Sequence, residues 1–318
     1  MALNFEYLDP EEIIGTEDFR FVEAFLRDTG RAKVGWHYFV DLAWIYSRVK
    51  DLQKGANILD AGGGSGPTQF LLAELGFNVT NIDLFHREPS APMRKRYGME
   101  VRSLPSFSPT MYSDQVENWG GWSALGRLKR RIGSTRLVKD IRGALSGRRH
   151  DIWRVIAGLE GAEIGKLTLL RGNLRSVPEV ASNSFDAVVS LSSLEHVPSE
   201  HLSEVVSEIS RLLKPGGRWM VTTSGTERAD TWFHEPSKGN CFSEAGLLDY
   251  FGAEKHGEQN PEQILRHYRD SAYLQENLAG FYRKSGNSGM PWGKWNPTYI
   301  PVGIFGTNDE SGEVRAAV

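Results

Sequence analysis

Short apolar runs and longer helical periodicities alternate along much of the chain. Residues 58–59 are a short apolar run that reads as a buried strand and stops at Asp60. Four glycines follow within six residues, in Asn57-Ile-Leu-Asp-Ala-Gly-Gly-Gly-Ser-Gly66. After Pro67, the residues Phe70, Leu71 and Leu75 recur at helical spacing, and Gly76 stands where a C-cap glycine belongs. Residues 78–82 form the next strand and end in Asp83; 167–170 and Phe185–Leu191 are further strand-like runs. A helix over 200–213 keeps Leu202, Val205, Val206, Ile209 and Leu213 on one face. Lys214-Pro-Gly-Gly217 stops it, and strands are expected at 219–223 and near 298–305. Strands alternating with helices predict an α/β fold.

Other segments depart from this plan. Residues 5–27 mix acids and aromatics and read as one or two short helices. Residues 36–49 form an aromatic helix through Phe39, Val40, Ala43, Ile45 and Val49, in which His37 and Tyr38 carry polar tips that could reach a site. Residues 226–236 are a polar and aromatic loop directly after a strand. A capped helix is expected from Ser243, another helix over 262–284, a Gly/Trp loop over 286–296, and a disordered tail past Asp309.

Charge changes the picture between residues 86 and 150. That segment holds 14 Lys/Arg and 5 Asp/Glu, a net of +9, whereas the whole chain is −3. Such asymmetry points to an anionic partner. Within it, 123–149 has helical spacing: Leu125, Leu128 and Ile132 make one apolar stripe and Val138, Ile141 and Leu145 another. Basic residues fill the other faces, and Trp119 and Trp122 lie just upstream. This describes a helix lying in an anionic membrane interface through residues 119–149, and equally a basic helix packed on the body of the protein. Nucleic acid is not expected, because no base-reading module is recognisable.

With 318 residues, 40% of them hydrophobic, the chain holds one large domain with additions or two domains. Its single cysteine, Cys241, excludes an internal disulfide and suits a reducing cytoplasm. The acidic N-terminus lacks a signal-peptide pattern, and no apolar run approaches the roughly 20 residues of a membrane span. The expected location is cytoplasmic, with peripheral contact to the inner face of the membrane.

The glycine frame is Asp60-x-Gly62-x-Gly64-x-Gly66, not the Gly-x-Gly-x-x-Gly of a dinucleotide fold, since Pro67 and Gln69 occupy the third glycine's place. With Asp83, the Arg171-Gly-Asn-Leu174 block, the 184–197 block and the 212–223 block in this order, the chain resembles class I S-adenosylmethionine (SAM) methyltransferases of the type 11 group. The resemblance implies a Rossmann-like, seven-stranded, mostly parallel sheet with helices on both faces, an N-terminal helical cap and a largely helical basic insert. The corresponding divisions are 1–50 (cap), 51–86 and 166–308 (SAM-binding core), 87–165 (insert) and 309–318 (tail). It further implies SAM as cofactor and S-adenosylhomocysteine as product. Asp60, Gly62, Gly64 and Gly66 would hold the amino-acid end, Asp83 and Leu84 the ribose side, Asn173 and Leu174 the adenine, and Ser190 the methionine part.

An alcohol acceptor needs a base, and His196 and His234 compete for that role beside the case of no base at all. His37, Tyr38, Trp232 and Glu235 are the expected acceptor contacts. Asp230, His234 and Glu235 lack fixed metal-ligand spacing, and a metal is not expected. The favoured acceptor is a sugar hydroxyl in an anionic or lipid-linked glycan. A small soluble metabolite, such as a quinone or secondary product, and a non-catalytic SAM-binding protein are the alternatives.

Overall fold

Strand β1 (Ala2–Tyr7) opens the chain, with Leu3, Phe5 and Tyr7 buried at the period of a strand. The stretch expected to be helical from residue 5 therefore begins as sheet. The computed structural model describes residues 2–85, 89–107, 136–280, 282, 290 and 294–308. The expectations for residues 119–135, for most of the 286–296 loop and for the tail past residue 308 lie outside those residues. Helices α1 (Pro10–Ile13) and α2 (Glu17–Asp28) follow β1, started by Asp9 and Thr16, whose side chains accept from the N–H of Glu11 and Phe19. Helix α3 (Tyr38–Val49) buries Phe39, Val40, Leu42, Ala43, Ile45 and Val49, and with them the charged Asp41.

The core follows with the expected β2 (Asn57–Ala61), α4 (Thr68–Glu74) and β3 (Asn78–Asp83), then α5 (Ala91–Arg96) and β4 (Glu100–Ser103), which the periodicity does not predict, then α6 (Arg136–Ile156), and the expected β5 (Leu167–Arg171) and β6 (Phe185–Leu191). A single 3-10 turn, Leu194–His196, leads into α7 (Ser199–Leu212) and β7 (Leu213–Gly225). The hairpin β8 (Trp232–His234) and β9 (Gly239–Cys241) precedes α8 (Glu244–Phe251) and β10 (Ala253–Lys255). The helix expected over 262–284 is broken into α9 (Pro261–Asp270) and α10 (Ala272–Glu276). Ser271 ends the first in extended backbone and caps the second through its side chain. β11 (Ile300–Thr307) is the last strand.

The main sheet runs β10-β1-β11-β7-β6-β2-β3-β5-β4. Its pairs are parallel except those of β11, which is antiparallel to both β7 and β1. The sheet is mostly parallel, as expected, but among the described residues it has nine strands rather than seven. β4 at one edge and β1 and β10 at the other lie where the periodicity predicts no strand. Strand order reverses between β2 and β6, and in an open α/β sheet ligands bind outside the carboxyl ends at such a point. Helix α3 packs on β6, β7 and β11, which brings its first turn to that end.

Helix α6 is docked by one face. His150, Trp153 and Arg154 are buried, and the anchor is Glu74 at the end of α4. Its carboxylate meets Arg96 Nε at 2.8 Å, Arg154 Nη1 at 3.1 Å and His150 Nδ1 at 2.9 Å, and accepts from Tyr97 Oη at 2.7 Å. Burial alone would raise the Glu74 carboxyl. The hydrogen bonds from His150, Arg96 and Tyr97 outweigh it and hold the group well below the usual carboxylate range. The basic helix is thus packed on the body along this face, by an acid buried in the core.

Candidate active site

The glycine turn after β2 closes on β3 and on itself. The Gly62 N–H donates to the Ile82 carbonyl at 2.9 Å and the Gly66 N–H to the Gly63 carbonyl at 2.8 Å. Gly62 and Gly64 have φ of +71° and +51°, which glycine adopts without strain. A Cβ on Gly62 would stand 1.9 Å from Ser193 Oγ, and one on Gly63 2.0 Å from Asp60 Oδ2. Side chains here would push the turn off β6 and off its own aspartate.

Asp60 is fully buried. Its Oδ2 accepts from Asn81 Nδ2 at 2.7 Å, whereas Oδ1 has no hydrogen-bond partner among the described residues. Burial pushes its carboxyl up to about 7; the Asn81 bond opposes the rise and the Asp83 charge adds to it. Asp83, at the end of β3, accepts from the Gly64 N–H at 3.0 Å and from the Phe85 N–H at 2.6 Å, with Leu84 half-buried beside it. One N–H of the turn is therefore taken by an acid of the chain. Asp83 lies opposite Arg171 in register, and the Gly172 N–H donates to the Asp83 carbonyl at 3.1 Å. This sets Asn173 and Leu174 at the neighbouring strand end. Asn173 Oδ1 accepts from the Arg175 N–H at 3.1 Å. Ser190 is buried and donates to the Ala61 carbonyl at 2.9 Å, bridging β6 to β2 beneath the turn.

The fit to SAM rests on the acceptor groups here. An unpartnered buried carboxylate oxygen suits an ammonium, and a second carboxylate and an amide oxygen lie along adjacent strand ends.

On the other side of the turn, α3 supplies a buried pair that the residue-by-residue reading of the sequence missed. His37 Nδ1 lies 2.7 Å from Asp41 Oδ2, with both residues buried. The same oxygen accepts from Ser192 Oγ at 2.9 Å and from Thr222 Oγ1 at 3.3 Å. Ser192 has φ +44°, and its neighbour Ser193 is the residue that abuts Gly62. Glu195 is also buried, accepts from Thr223 Oγ1 at 3.3 Å, and is pushed up chiefly by burial. A legible signal existed for Asp41: a charge inside an apolar helix, four residues from a histidine.

The structure brings together His37, Tyr38, Trp232 and His234. The His37 ring contacts Tyr38 and Tyr299 at centroid distances of 5.3 and 5.7 Å; the His234 ring contacts Tyr299 at 5.3 Å and Trp232 at 5.4 Å. Tyr299, from the stretch before β11, joins the two histidines. His234 Nδ1 is 2.7 Å from Ser237 Oγ, and burial pushes the ring down to about 4. Glu235 does not join them. It follows His234 out of β8, is exposed, and pairs with Lys238. His196 Nδ1 lies 2.9 Å from the Lys238 carbonyl, so that nitrogen carries the proton; the ring lines a separate cleft of about 250 Å³ with Phe233 and Asn240. Among the described residues, no three His, Cys, Asp or Glu side chains converge as a metal site.

A family model described as a methyltransferase domain matches residues 37–269. No curated protein matches. Among solved structures, the chain is similar to the [4+2]-cyclase SpnF, at 16% identity over 87% of this chain and 84% of that chain, with a TM-score of 0.47. It is also similar to a putative sarcosine dimethylglycine methyltransferase from Galdieria sulphuraria, at 15% identity over 85% and 83%, TM-score 0.36. A geranyl diphosphate methyltransferase solved with GPP and sinefungin is 14% identical over 84% and 77%, TM-score 0.37.

Proposed function

The chain belongs to the methyltransferase-domain family and is a class I SAM-dependent methyltransferase, and on that premise we propose that it methylates a hydroxyl oxygen with His37 as the base. The observation that carries this reading is the buried His37–Asp41 pair, tied through Ser192 to the strand end that abuts the glycine turn. The Asp41 carboxylate holds the Nδ1–H toward itself, fixing the tautomer and leaving Nε2 as the basic atom. His234 lacks such a carboxylate, and its low ring pKa makes it a weak base. His196 has the right tautomer, but a backbone carbonyl stands where His37 has a carboxylate.

Bound SAM supplies a methyl group on a positively charged sulfur. Asp60 would hold the ammonium of its amino-acid end, Asp83 the ribose hydroxyls, and Asn173 Oδ1 with the Leu174 N–H the adenine edge. Ser190, whose hydroxyl hydrogen is committed to Ala61, would contribute shape. The chain's remaining work is alignment and exclusion of water, which the wall of buried Trp36, His234 and Tyr299 and half-buried Tyr38 supports. The ring faces in this wall suit a sugar, and the +9 segment over 86–150 favours an anionic or lipid-linked glycan. The same wall supports, as a second reading, a small soluble planar acceptor.

The test is transfer of tritium from methyl-labelled SAM to a panel of sugars, glycolipids and phenols. On the acceptor found, His37→Ala and Asp41→Asn should each lower the rate by about 10²–10⁴-fold with SAM affinity nearly intact. Near-wild-type rates in both, with loss in His196→Ala or His234→Ala, would move the base there.

A further inference from the structure

One face of α6 docks through His150, Trp153 and Arg154; the opposite face carries Ile141, Leu145, Ile152, Val155 and Ile156, which are 52, 55, 59, 58 and 68% exposed. These are five of the eight large hydrophobic side chains found exposed among the described residues. At the helical repeat they fall within an arc of about 100°. Exposed Arg148 sits inside that arc, and exposed Arg142 lies about 40° beyond one edge of it. The helix's two acids lie beyond the other edge, Asp151 by about 40° and Asp140 by about 60°, and both are engaged. Asp140 Oδ1 accepts from the Ala91 N–H at 3.0 Å, and Asp151 pairs with Arg96. Beside the stripe, between α5 and α6, an open cleft of about 460 Å³ has Lys95, Arg96, Arg148 and Asp151 as its charged lining, three cations to one acid.

We propose that this face of α6 is a docking surface for an anionic phospholipid bilayer, with Ile141, Leu145, Ile152, Val155 and Ile156 entering the interface and Lys95, Arg142 and Arg148 meeting the headgroups. Charge complementarity selects this occupant: an apolar stripe carrying Arg148 and flanked by Arg142, each of its helix's acids engaged by a partner of the chain, lies in a segment of net +9 within a chain of −3. Among the described residues, no helix is long and apolar enough to cross a membrane, so α6 would lie in the plane of the surface. The proposal is independent of the methyltransferase reading.

The experiment is flotation of the full chain with phosphatidylcholine vesicles, alone or mixed in equal parts with phosphatidylglycerol, alongside SAM calorimetry. Wild type should float with the mixed vesicles at low salt, release at high salt, and ignore pure phosphatidylcholine. Arg142→Gln with Arg148→Gln should weaken mixed-vesicle binding by about 30-fold. Ile152→Ser with Ile156→Ser should weaken it by about tenfold or more. Both double variants should bind SAM as wild type does. Wild type left unbound by mixed vesicles at low salt would overturn the proposal. So would wild-type lipid binding by both variants. A wild-type dimer that the Ile double variant turns to monomer would overturn it in favour of a second copy. Thermal destabilisation of that variant without loss of lipid binding would overturn it in favour of cover by the chain itself.

Discussion

Asp60→Asn should make the protein more stable at neutral pH while weakening its hold on SAM. Asp60 is fully buried with one oxygen unpartnered, and burial raises its carboxyl to about 7. The unfolded value is about 3.9. A carboxyl raised on folding binds more protons folded than unfolded, so its contribution is most favourable below about pH 4 and is lost as pH rises toward 7. Integrating between pH 5 and pH 8 with these two values gives a loss of roughly 2–3 kcal/mol for the wild type, absent from the Asn variant. Denaturant unfolding of both proteins at the two pH values measures it. Other titrating groups cancel in the difference between wild type and variant. The stabilisation by Asp60→Asn should be small at pH 5 and grow by roughly that amount at pH 8. A gap that does not widen with pH would refute the view of Asp60 as a desolvated, unsatisfied acid awaiting a cation. The same logic makes SAM raise the wild type's melting temperature more at pH 8 than at pH 5.

Two further outcomes follow from other parts of the structure. Asp83→Ala should weaken SAM binding by about 1.5–3 kcal/mol, since a charged acceptor is lost; calorimetry showing unchanged affinity would remove Asp83 from the site. Glu74→Gln should destabilise the fold by about 3–5 kcal/mol, because Arg96 and Arg154 lose their shared buried partner. The folded-state pKa values of Glu74 and His150 are both lowered, so the wild type should lose their contribution as pH falls from about 6.5 through the carboxylate range. Urea unfolding across that range, with Glu74→Gln flatter than wild type, checks it.

The local parts of the site were legible in the sequence. Asp60, the glycine turn, Asp83 and the 171–174 block are read from contiguous residues, because strand ends and tight turns are written in Gly, Asp and Asn at short range. The acceptor side was legible only in pieces. Asp41 comes from α3, Ser192 and Glu195 from beyond β6, and Thr222 from β7, and pairing over 28 to 181 positions leaves no local trace. His234 and Glu235 are neighbours in sequence, yet at the end of a strand one is buried and the other exposed. β1 escaped for a similar reason: its three inward residues make a weak alternation, and its partner β10 lies about 250 residues away, Leu3 facing Ala253. Helix α6 shows why two opposed readings of one basic helix both had grounds, since one face is docked on Glu74 and the other is exposed.

On the reading proposed above, SAM binds at the Asp60–Gly66 turn. Gly64 has φ +51°, which a β-branched residue adopts only at a cost of about 1–2 kcal/mol, so Gly64→Val displaces the turn while leaving the sheet's pairing untouched. Calorimetric titration of SAM into wild type and Gly64→Val, with circular dichroism matched between them, tests the claim most directly. Wild type should bind one SAM per chain, and Gly64→Val should bind it about 5- to 30-fold more weakly. Equal affinities in the two proteins, or no binding by wild type, would contradict it.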